Sequence, residues 1–386
     1  MGESHHLETR AIHVGREELT DLGLHAAPID LSTTYPSRDM NAEMDRLDLL
    51  TTGARDGGMP VYGRVGNPTV ERFEQALASL ESCEASVAFA SGMAAFSAVL
   101  LSVAAAGKPH VLAVRPLYGT TDFLLESGLL GVATEFVDAD GVAGAIRDDT
   151  GLVITESPAN PTLNEVDIRA LAKACGDVPL LVDNTFATPV LQRPAELGAT
   201  MVLHSATKFI GGHGDVMAGV IATSEELAQG LRNIRYATGG VLHPLSGYLL
   251  LRGLSTLPIR IRAAAENAKV LAERLTNHAA VSRVYYPGFD ENRPADQMEG
   301  GGAMVSFEVV GDPADIIGGV RLITPAVSLG SVDTLIECPA AISHHIMEPE
   351  VRQSIGISDK LLRMSVGIEH VDDLWSDLSP ILDRML

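Results

Sequence analysis

Basic side chains are scarce in this chain of 386 residues: 28 lysines and arginines face 50 aspartates and glutamates, a formal net charge of −22. That balance excludes a nucleic-acid binder, because phosphate backbones are gripped by clustered basic side chains, and it excludes docking on anionic lipid. Cysteine is scarce too. Cys83, Cys175 and Cys338 stand far apart with no C-x-x-C pair, which excludes a disulfide framework and fits a reducing cytoplasm. Long apolar runs are missing. The longest, from about Met93 to Ala106, carries Ser97 and Ser102; it is too short to span a bilayer and reads as a buried helix. Met1 to Thr20 is charged and lacks an apolar centre, so no signal peptide is expected. Nucleotide signatures are absent as well. Gly211-Gly212-His213-Gly214 has the wrong spacing for a dinucleotide fingerprint and follows a lysine, and no G-x-x-x-x-G-K-[ST] occurs. The histidines form no H-x-x-x-H pair with a carboxylate, so no metal site is expected.

What remains is ordinary globular composition, 46% hydrophobic and 20% charged, in a chain long enough for two or three domains and a large core. Residues 1–58 read as an irregular arm with Pro28 and Pro36 and no sustained period. An arm of that length wraps a partner subunit or covers a site, or else is a partly disordered tail. From 59 to 240 short apolar runs alternate with helical segments: Ser86–Ala90, Val111–Val114, Ala133–Val137, Leu152–Thr155, Pro179–Val182 and Met201–Leu203, with helices such as Gly92–Ala106 and Ile168–Cys175 between them. This pattern predicts an α/β domain with a mostly parallel sheet. From 241 to 386 the texture changes to a smaller α+β domain: a long helix from Pro244 to about His278 interrupted at Pro258, strands at Ser282–Tyr286 and Ala303–Val309, and a terminal amphipathic segment, Val371–Leu386.

Lysine is rarer still, at five residues. Lys208 stands where an apolar run ends, in Leu203-His204-Ser205-Ala206-Thr207-Lys208. Hydroxyls at Ser205 and Thr207 could donate to a phosphate, and an enclosed lysine beside them could have a lowered pKa and form an imine; the alternative is a solvated loop lysine. Val182-Asp183-Asn184-Thr185 ends another run. A carboxylate at that edge suits a pyridinium nitrogen, or simply caps a turn. Ser91-Gly92-Met93 opens a helix after a strand, where backbone N–H groups bind anions. Tyr118, in the corresponding place after Val111–Val114, could stack on a planar ring. Tyr62 and Arg64 precede a Gly-Asn-Pro-Thr turn and could bind an anion. Arg363 interrupts an apolar stretch, so it needs a partner: a substrate carboxylate, or an internal Asp or Glu.

Together these segments resemble the Cys/Met metabolism family of pyridoxal-phosphate enzymes. The resemblance covers nearly the whole chain after about residue 7. It rests on Tyr62-Gly63-Arg64-Val65-Gly66-Asn67-Pro68-Thr69, Ala90-Ser91-Gly92-Met93, Tyr118-Gly119, Ser157-Pro158-Ala159-Asn160-Pro161-Thr162, Val182-Asp183-Asn184-Thr185-Phe186, Ser205-Ala206-Thr207-Lys208 and Arg363-Met364-Ser365-Val366-Gly367-Ile368-Glu369. It implies the type I, aspartate aminotransferase-like fold and a homotetramer built from two tight dimers with shared active sites. Lys208 would hold pyridoxal phosphate covalently and then shuttle protons. Asp183, beside Thr185, would pair with the ring nitrogen, and Tyr118 would stack on the ring. Ser91, Gly92, Met93, Ser205 and Thr207 would bind the phosphate, with Tyr62 and Arg64 reaching it from the neighbouring subunit. Arg363, Asn160 and Ser328 would hold the carboxylate of a small sulfur amino acid.

The same resemblance narrows the activity. Pro325-Ala326-Val327-Ser328-Leu329-Gly330 and Thr334-Leu335-Ile336-Glu337-Cys338-Pro339 look like the methionine-cleaving members. Relatives acting on cystathionine often carry a glutamate where Val327 stands; valine suits an uncharged thioether. The expectation is α,γ-elimination from L-methionine, with cleavage of cystathionine or γ-replacement on an O-acylhomoserine as the alternatives within the family. A non-catalytic member kept for binding is the alternative outside catalysis, against which Lys208 and Asp183 both speak. Two places depart from the methionine-cleaving pattern: Thr120 stands for a cysteine after the Tyr-Gly pair, and Arg235-Tyr236 for a Lys-Asp pair.

Overall fold

Short runs of β-branched and apolar residues fold here into two sheets. The computed structural model describes residues 5–55, 58, 60–289, 293–345 and 347–386; the expected boundary between 58 and 59 touches residue 59, which lies outside the described residues. The larger sheet contains β1 (Ala85–Phe89), β2 (His110–Val114), β3 (Ala133–Val137), β4 (Thr150–Glu156), β5 (Leu180–Asp183), β6 (Met201–His204) and β7 (Gly219–Thr223). Their order is β1-β7-β6-β5-β4-β2-β3. β2 to β6 pair in parallel, whereas β7 runs antiparallel to both of its neighbours. β7 is absent from the sequence reading, and it separates β1 from the parallel strands.

Parallel strands are covered on both faces, so they are apolar throughout rather than alternating. β2 and β4 are buried along their whole length. Successive side chains still point to opposite faces. Ile154 and Leu181 pack with Phe89 and Phe96 in one core, while Val153 and Val182 pack with Leu112 and Ile168 in another. The covering helices have well-marked starts. Asn67 Oδ1 accepts from the N–H groups of Thr69 and Val70 ahead of helix Pro68–Leu80, and Ser91 Oγ accepts from Ala94 N–H at the start of Gly92–Ala105, each satisfying donors that a helix terminus leaves open.

The expected long helix after residue 240 is two helices, Pro244–Leu254 and Leu257–Thr276. The break falls at 255–256, and Pro258 sits in the first turn of the second helix, where a missing N–H costs no intrahelical bond. Beyond it lies the smaller sheet: β8 (Val281–Tyr285), β9 (Met304–Val309), β10 (Thr324–Pro325), β11 (Leu335–Glu337) and β12 (Leu361–Ser365), in the order β10-β11-β12-β9-β8. Helix Val371–Asp383 packs Leu374, Leu378 and Ile381 into its core with Phe307 and Leu362.

The N-terminal arm is less irregular than its sequence implies. Helix Leu7–His13 buries Ala11, and Arg72 donates to Gly15 O across 3.1 Å, tying the arm to helix Pro68–Leu80. Helix Met40–Thr51 is capped by Asp39 and buries no residue; Met40, Met44 and Leu47 stay exposed. Among the described residues no helix is long and apolar enough to cross a membrane.

Candidate active site

The strand order makes neighbours of residues far apart in sequence. Lys208 follows β6, Asp183 ends β5, Glu156 ends β4 and Tyr118 follows β2, so four consecutive strands of the sheet deliver one functional group each. Ligands of open α/β sheets bind outside these carboxyl ends.

Asp183 Oδ1 accepts from Thr185 twice, from its N–H at 3.0 Å and its hydroxyl at 2.5 Å. The Thr185 hydroxyl in turn accepts from Ser205 N–H at 2.9 Å. Thr185 therefore links the Asp183 carboxylate to the segment carrying Lys208. Enclosure pushes the Asp183 pKa upward, opposed by the two Thr185 hydrogen bonds and by His204, which itself sits 2.5 Å from Glu81.

Lys208 Nζ donates to Ser328 Oγ across 2.7 Å. Burial, then the charge of Arg363, brings its pKa down to about 8, with Glu337 pulling the other way. Ser328 also offers its carbonyl to Arg363 Nη2 at 2.9 Å, and its φ of +104° places it in backbone space that favours glycine. One residue thus touches both the amine and the guanidinium. Arg363 is 3% exposed; Nη1 donates to Asn160 Oδ1 at 2.8 Å and Nη2 to Glu337 at 2.8 Å. Its Nε–H has no partner among the described residues. Both partners considered for this arginine from sequence are therefore served: an internal carboxylate is present, and a donor is left over.

The residues expected to bind the phosphate are brought together by close approach. A Cβ added to Gly219 would lie 2.2 Å from Ser91 O and 2.6 Å from Gly92 Cα, and one added to Gly92 would lie 3.1 Å from Ser205 Cβ. Glycine at both places lets the amino end of helix Gly92–Ala105, with Met93 in its first turn, press against Ser205. The hydroxyls themselves are partly committed. Ser91 Oγ caps its helix, and Thr207 Oγ1 donates to Ala218 O at 3.1 Å while accepting from Ala218 N–H at 3.0 Å.

Tyr62 and Arg64 are not brought into this cluster. Arg64 lies over the rings of Tyr236 at 4.5 Å and Tyr62 at 5.5 Å and donates to Tyr236 O at 2.8 Å. Of the departing pair, Tyr236 thus backs Arg64, while Arg235 is buried and bridges Glu74 Oε1 at 2.6 Å and Ala88 O at 2.8 Å. Thr120 lies half-buried beside Tyr118, which is 39% exposed; Val327 is 55% exposed next to Ser328.

Three buried polar side chains beside these groups escape the sequence reading. Glu156 ends an apolar run as Asp183 does, a signal that could have found it. Glu337 stands within residues 334–339, a segment read from sequence only for its likeness to the methionine-cleaving members. His344 is fully buried, 3.1 Å from Ser343 Oγ, which donates to Glu337 at 2.7 Å. Burial and then Arg363 bring its pKa down to about 4.

Comparison with known proteins identifies the family. The family described as Cys/Met metabolism PLP-dependent enzymes matches residues 8–383. The L-methionine gamma-lyase of Streptomyces avermitilis is 65% identical over 382 residues, covering 98% of this chain and 90% of the relative. That of Brevibacterium aurantiacum is 50% identical over 387 residues, covering 98% and 94%. Among solved structures, the cystathionine gamma-lyase of Lactobacillus plantarum complexed with L-serine superposes with a TM-score of 0.88 at 34% identity, covering 99% of both chains. The sheet order, the lysine and the aspartate near its carboxyl edge and these matches lead to one assignment: the chain belongs to the Cys/Met metabolism family of pyridoxal-phosphate-dependent enzymes.

Proposed function

We propose that this chain is a carbon–sulfur lyase that converts L-methionine and water to methanethiol, 2-oxobutanoate and ammonia by α,γ-elimination. The observation that carries the reading is Ser328, which holds Lys208 with its hydroxyl and Arg363 with its carbonyl. An amine of lowered pKa and a carboxylate-seeking guanidinium joined by one residue suit the two polar ends of an α-amino acid. The two L-methionine gamma-lyases support the choice of substrate, as does the apolar Val327.

The residues fit pyridoxal phosphate. The close approach of Gly219 to Ser91 and Gly92 seats the amino end of helix Gly92–Ala105 against Ser205, so its N–H groups could take the phosphate; Lys208 has its pKa brought down to about 8, and Asp183 offers an enclosed carboxylate to the ring nitrogen. Ser91, Gly92, Met93, Ser205, Thr207 and Thr185 would hold the group, with Tyr62 and Arg64 approaching from a second subunit. When bound, it supplies an electron sink that stabilises carbanions at Cα and Cβ of the substrate. Asp183 keeps the ring nitrogen protonated. Arg363 and Asn160 grip the substrate carboxylate and orient Cα toward Lys208. Lys208, steadied by Ser328, removes the Cα proton. Tyr118 donates a proton to the departing sulfur, a form of general acid catalysis worth about 10²–10⁴-fold.

The exposed Leu22, Leu24, Leu31, Met40, Met44 and Leu47 support an arm, about residues 1–58, that contacts a second subunit in a homotetramer, ahead of a cofactor domain to about 240 and a C-terminal domain to 386. Three unpaired cysteines support a cytoplasmic site of action. The test is to incubate the cofactor-loaded protein with L-methionine and, separately, L-cystathionine, measuring 2-oxobutanoate and the released thiol. Faster turnover of methionine with methanethiol is expected; faster turnover of cystathionine overturns the choice of substrate.

A further inference from the structure

Glu156 has no part in the steps above, yet it stands between the residues that perform them. It ends β4, directly beside Asp183 in register with β5 and flanked on the other side by β2. It is 5% exposed. Oε2 accepts from Tyr118 N–H at 2.8 Å, and Oε1 accepts from Asn160 N–H at 3.0 Å. Neither donor could be reached by its own strand's ladder, because each lies in a loop just past the end of the sheet. Tyr118 also precedes helix Gly119–Ser127, whose first N–H groups need acceptors and whose positive end favours a carboxylate.

A buried carboxyl costs folding free energy, and here the cost is raised by Asp183 next to it. Burial, with Asp183 adding to it, pushes the Glu156 pKa well up, while the two backbone donors and Arg363 hold it back. Glutamine would fill the same space with no charge. It would, however, offer one oxygen to two N–H donors and turn its own NH2 toward the other. The side chain present is the one whose two oxygens hold two loops at once.

We infer that Glu156 is a positioning residue that fixes the spacing between Tyr118 and Asn160, and so between the two ends of the substrate. Tyr118 serves the sulfur end, and Asn160, through Arg363, serves the carboxylate end. This inference rests on the proposed function for the role of Tyr118, and its test separates the two.

Glu156→Gln and Tyr118→Phe are made singly and together in the cofactor-loaded enzyme, with kcat expressed per loaded site. Hydrogen exchange of the peptides containing Tyr118 and Asn160 is followed with and without cofactor. Glu156→Gln is expected to lower kcat by roughly 10–100-fold, as small misplacements of a reacting group do, and by less than about 3-fold once Tyr118 is already Phe, because coupled residues are non-additive. Exchange at one or both peptides rises in either cofactor state. Equal losses in both backgrounds, or unchanged exchange, overturn the inference. If Tyr118→Phe alone leaves kcat unchanged, the proton-donor assignment fails, and the exchange measurement judges the tether by itself. Should Glu156→Gln fail to fold, Glu156→Asp, which keeps the carboxyl group but is too short to reach both donors, is put through the same cycle: non-additive losses with raised exchange support the tether, and additive losses or unchanged exchange overturn it.

Discussion

Glu337 Oε1 lies 2.8 Å from Arg363 Nη2, and both side chains are almost fully buried. The guanidinium is therefore neutralised by the protein before any substrate arrives. Among the described residues its buried Nε–H is left without a partner. Removing one partner of a buried pair leaves the other charge uncompensated. Glu337→Ala should destabilise the fold by about 3–5 kcal/mol, read from the shift in urea unfolding. A loss under about 1 kcal/mol would show that Asn160 and Ser328 satisfy Arg363 alone, since that is the worth of an ordinary hydrogen bond.

Lys208 sets a pH dependence. Its ordinary pKa of 10.5 is brought down to about 8, and only the neutral amine attacks a carbonyl. Uptake of pyridoxal phosphate by cofactor-free protein should accelerate as pH rises and level off just above pH 8, as followed by stopped-flow absorbance. A rate still climbing steeply at pH 10 would contradict this. Lys208→Ala should release no methanethiol.

His344 sets another. Its pKa falls from 6.5 to about 4 on folding, so the unfolded chain binds the extra proton first. The corresponding stability is present above pH 6.5 and is lost as pH falls toward 4, by roughly 3 kcal/mol in all. Thermal melting of His344→Gln beside the parent across that range should show a flatter acid limb in the variant. Parallel curves would place the acid sensitivity elsewhere.

The thiols should be unreactive. Burial and neighbouring carboxylates push Cys83 up to about 12, burial pushes Cys175 up to about 11, and burial also raises Cys338. Only thiolates are strong nucleophiles, and the residue after the Tyr118-Gly119 pair is Thr120, not a cysteine. Iodoacetamide at neutral pH should leave turnover unchanged; rapid inactivation would show that one of these thiols ionises in solution.

Val327 is the exposed apolar residue beside Ser328. Val327→Glu should reduce turnover of methionine and raise that of cystathionine, whose distal ammonium a carboxylate attracts. The ratio of kcat/KM for the two substrates measures this, and an unchanged ratio would remove Val327 from specificity.

The sequence revealed most where a signal is local. Helix Ile168–Cys175 and strand Ala133–Val137 carry their own periodicity and fold within those bounds. Asp183 and Lys208 stood out because a polar group follows an apolar run. Helix Met40–Thr51 carries a short apolar stripe, Met40, Met44 and Leu47, that its own chain leaves exposed, and the irregular stretches on either side of it hide that spacing. Glu156 carried the same mark as Asp183, but its meaning depends on β4 lying between β5 and β2, which no run of residues announces. The Glu337–Arg363 pair crosses from β11 to β12 and is a product of register. Both belong to tertiary structure, where a side chain's role is decided by what the fold places opposite it.

The reversed strand β7 also bears on the order in which the molecule assembles. β1 is an edge strand whose ladder partner is β7, so a segment near residue 85 must wait for one near 220. During synthesis the Ser91–Gly92 turn therefore emerges well before Gly219 can seat it against Ser205. Long-range pairing of this kind is slow to form. A nascent chain that ends before β7 has its lysine but lacks Gly219, against which the Ser91–Gly92 turn packs, which ties completion of this edge of the sheet to a late stage of folding.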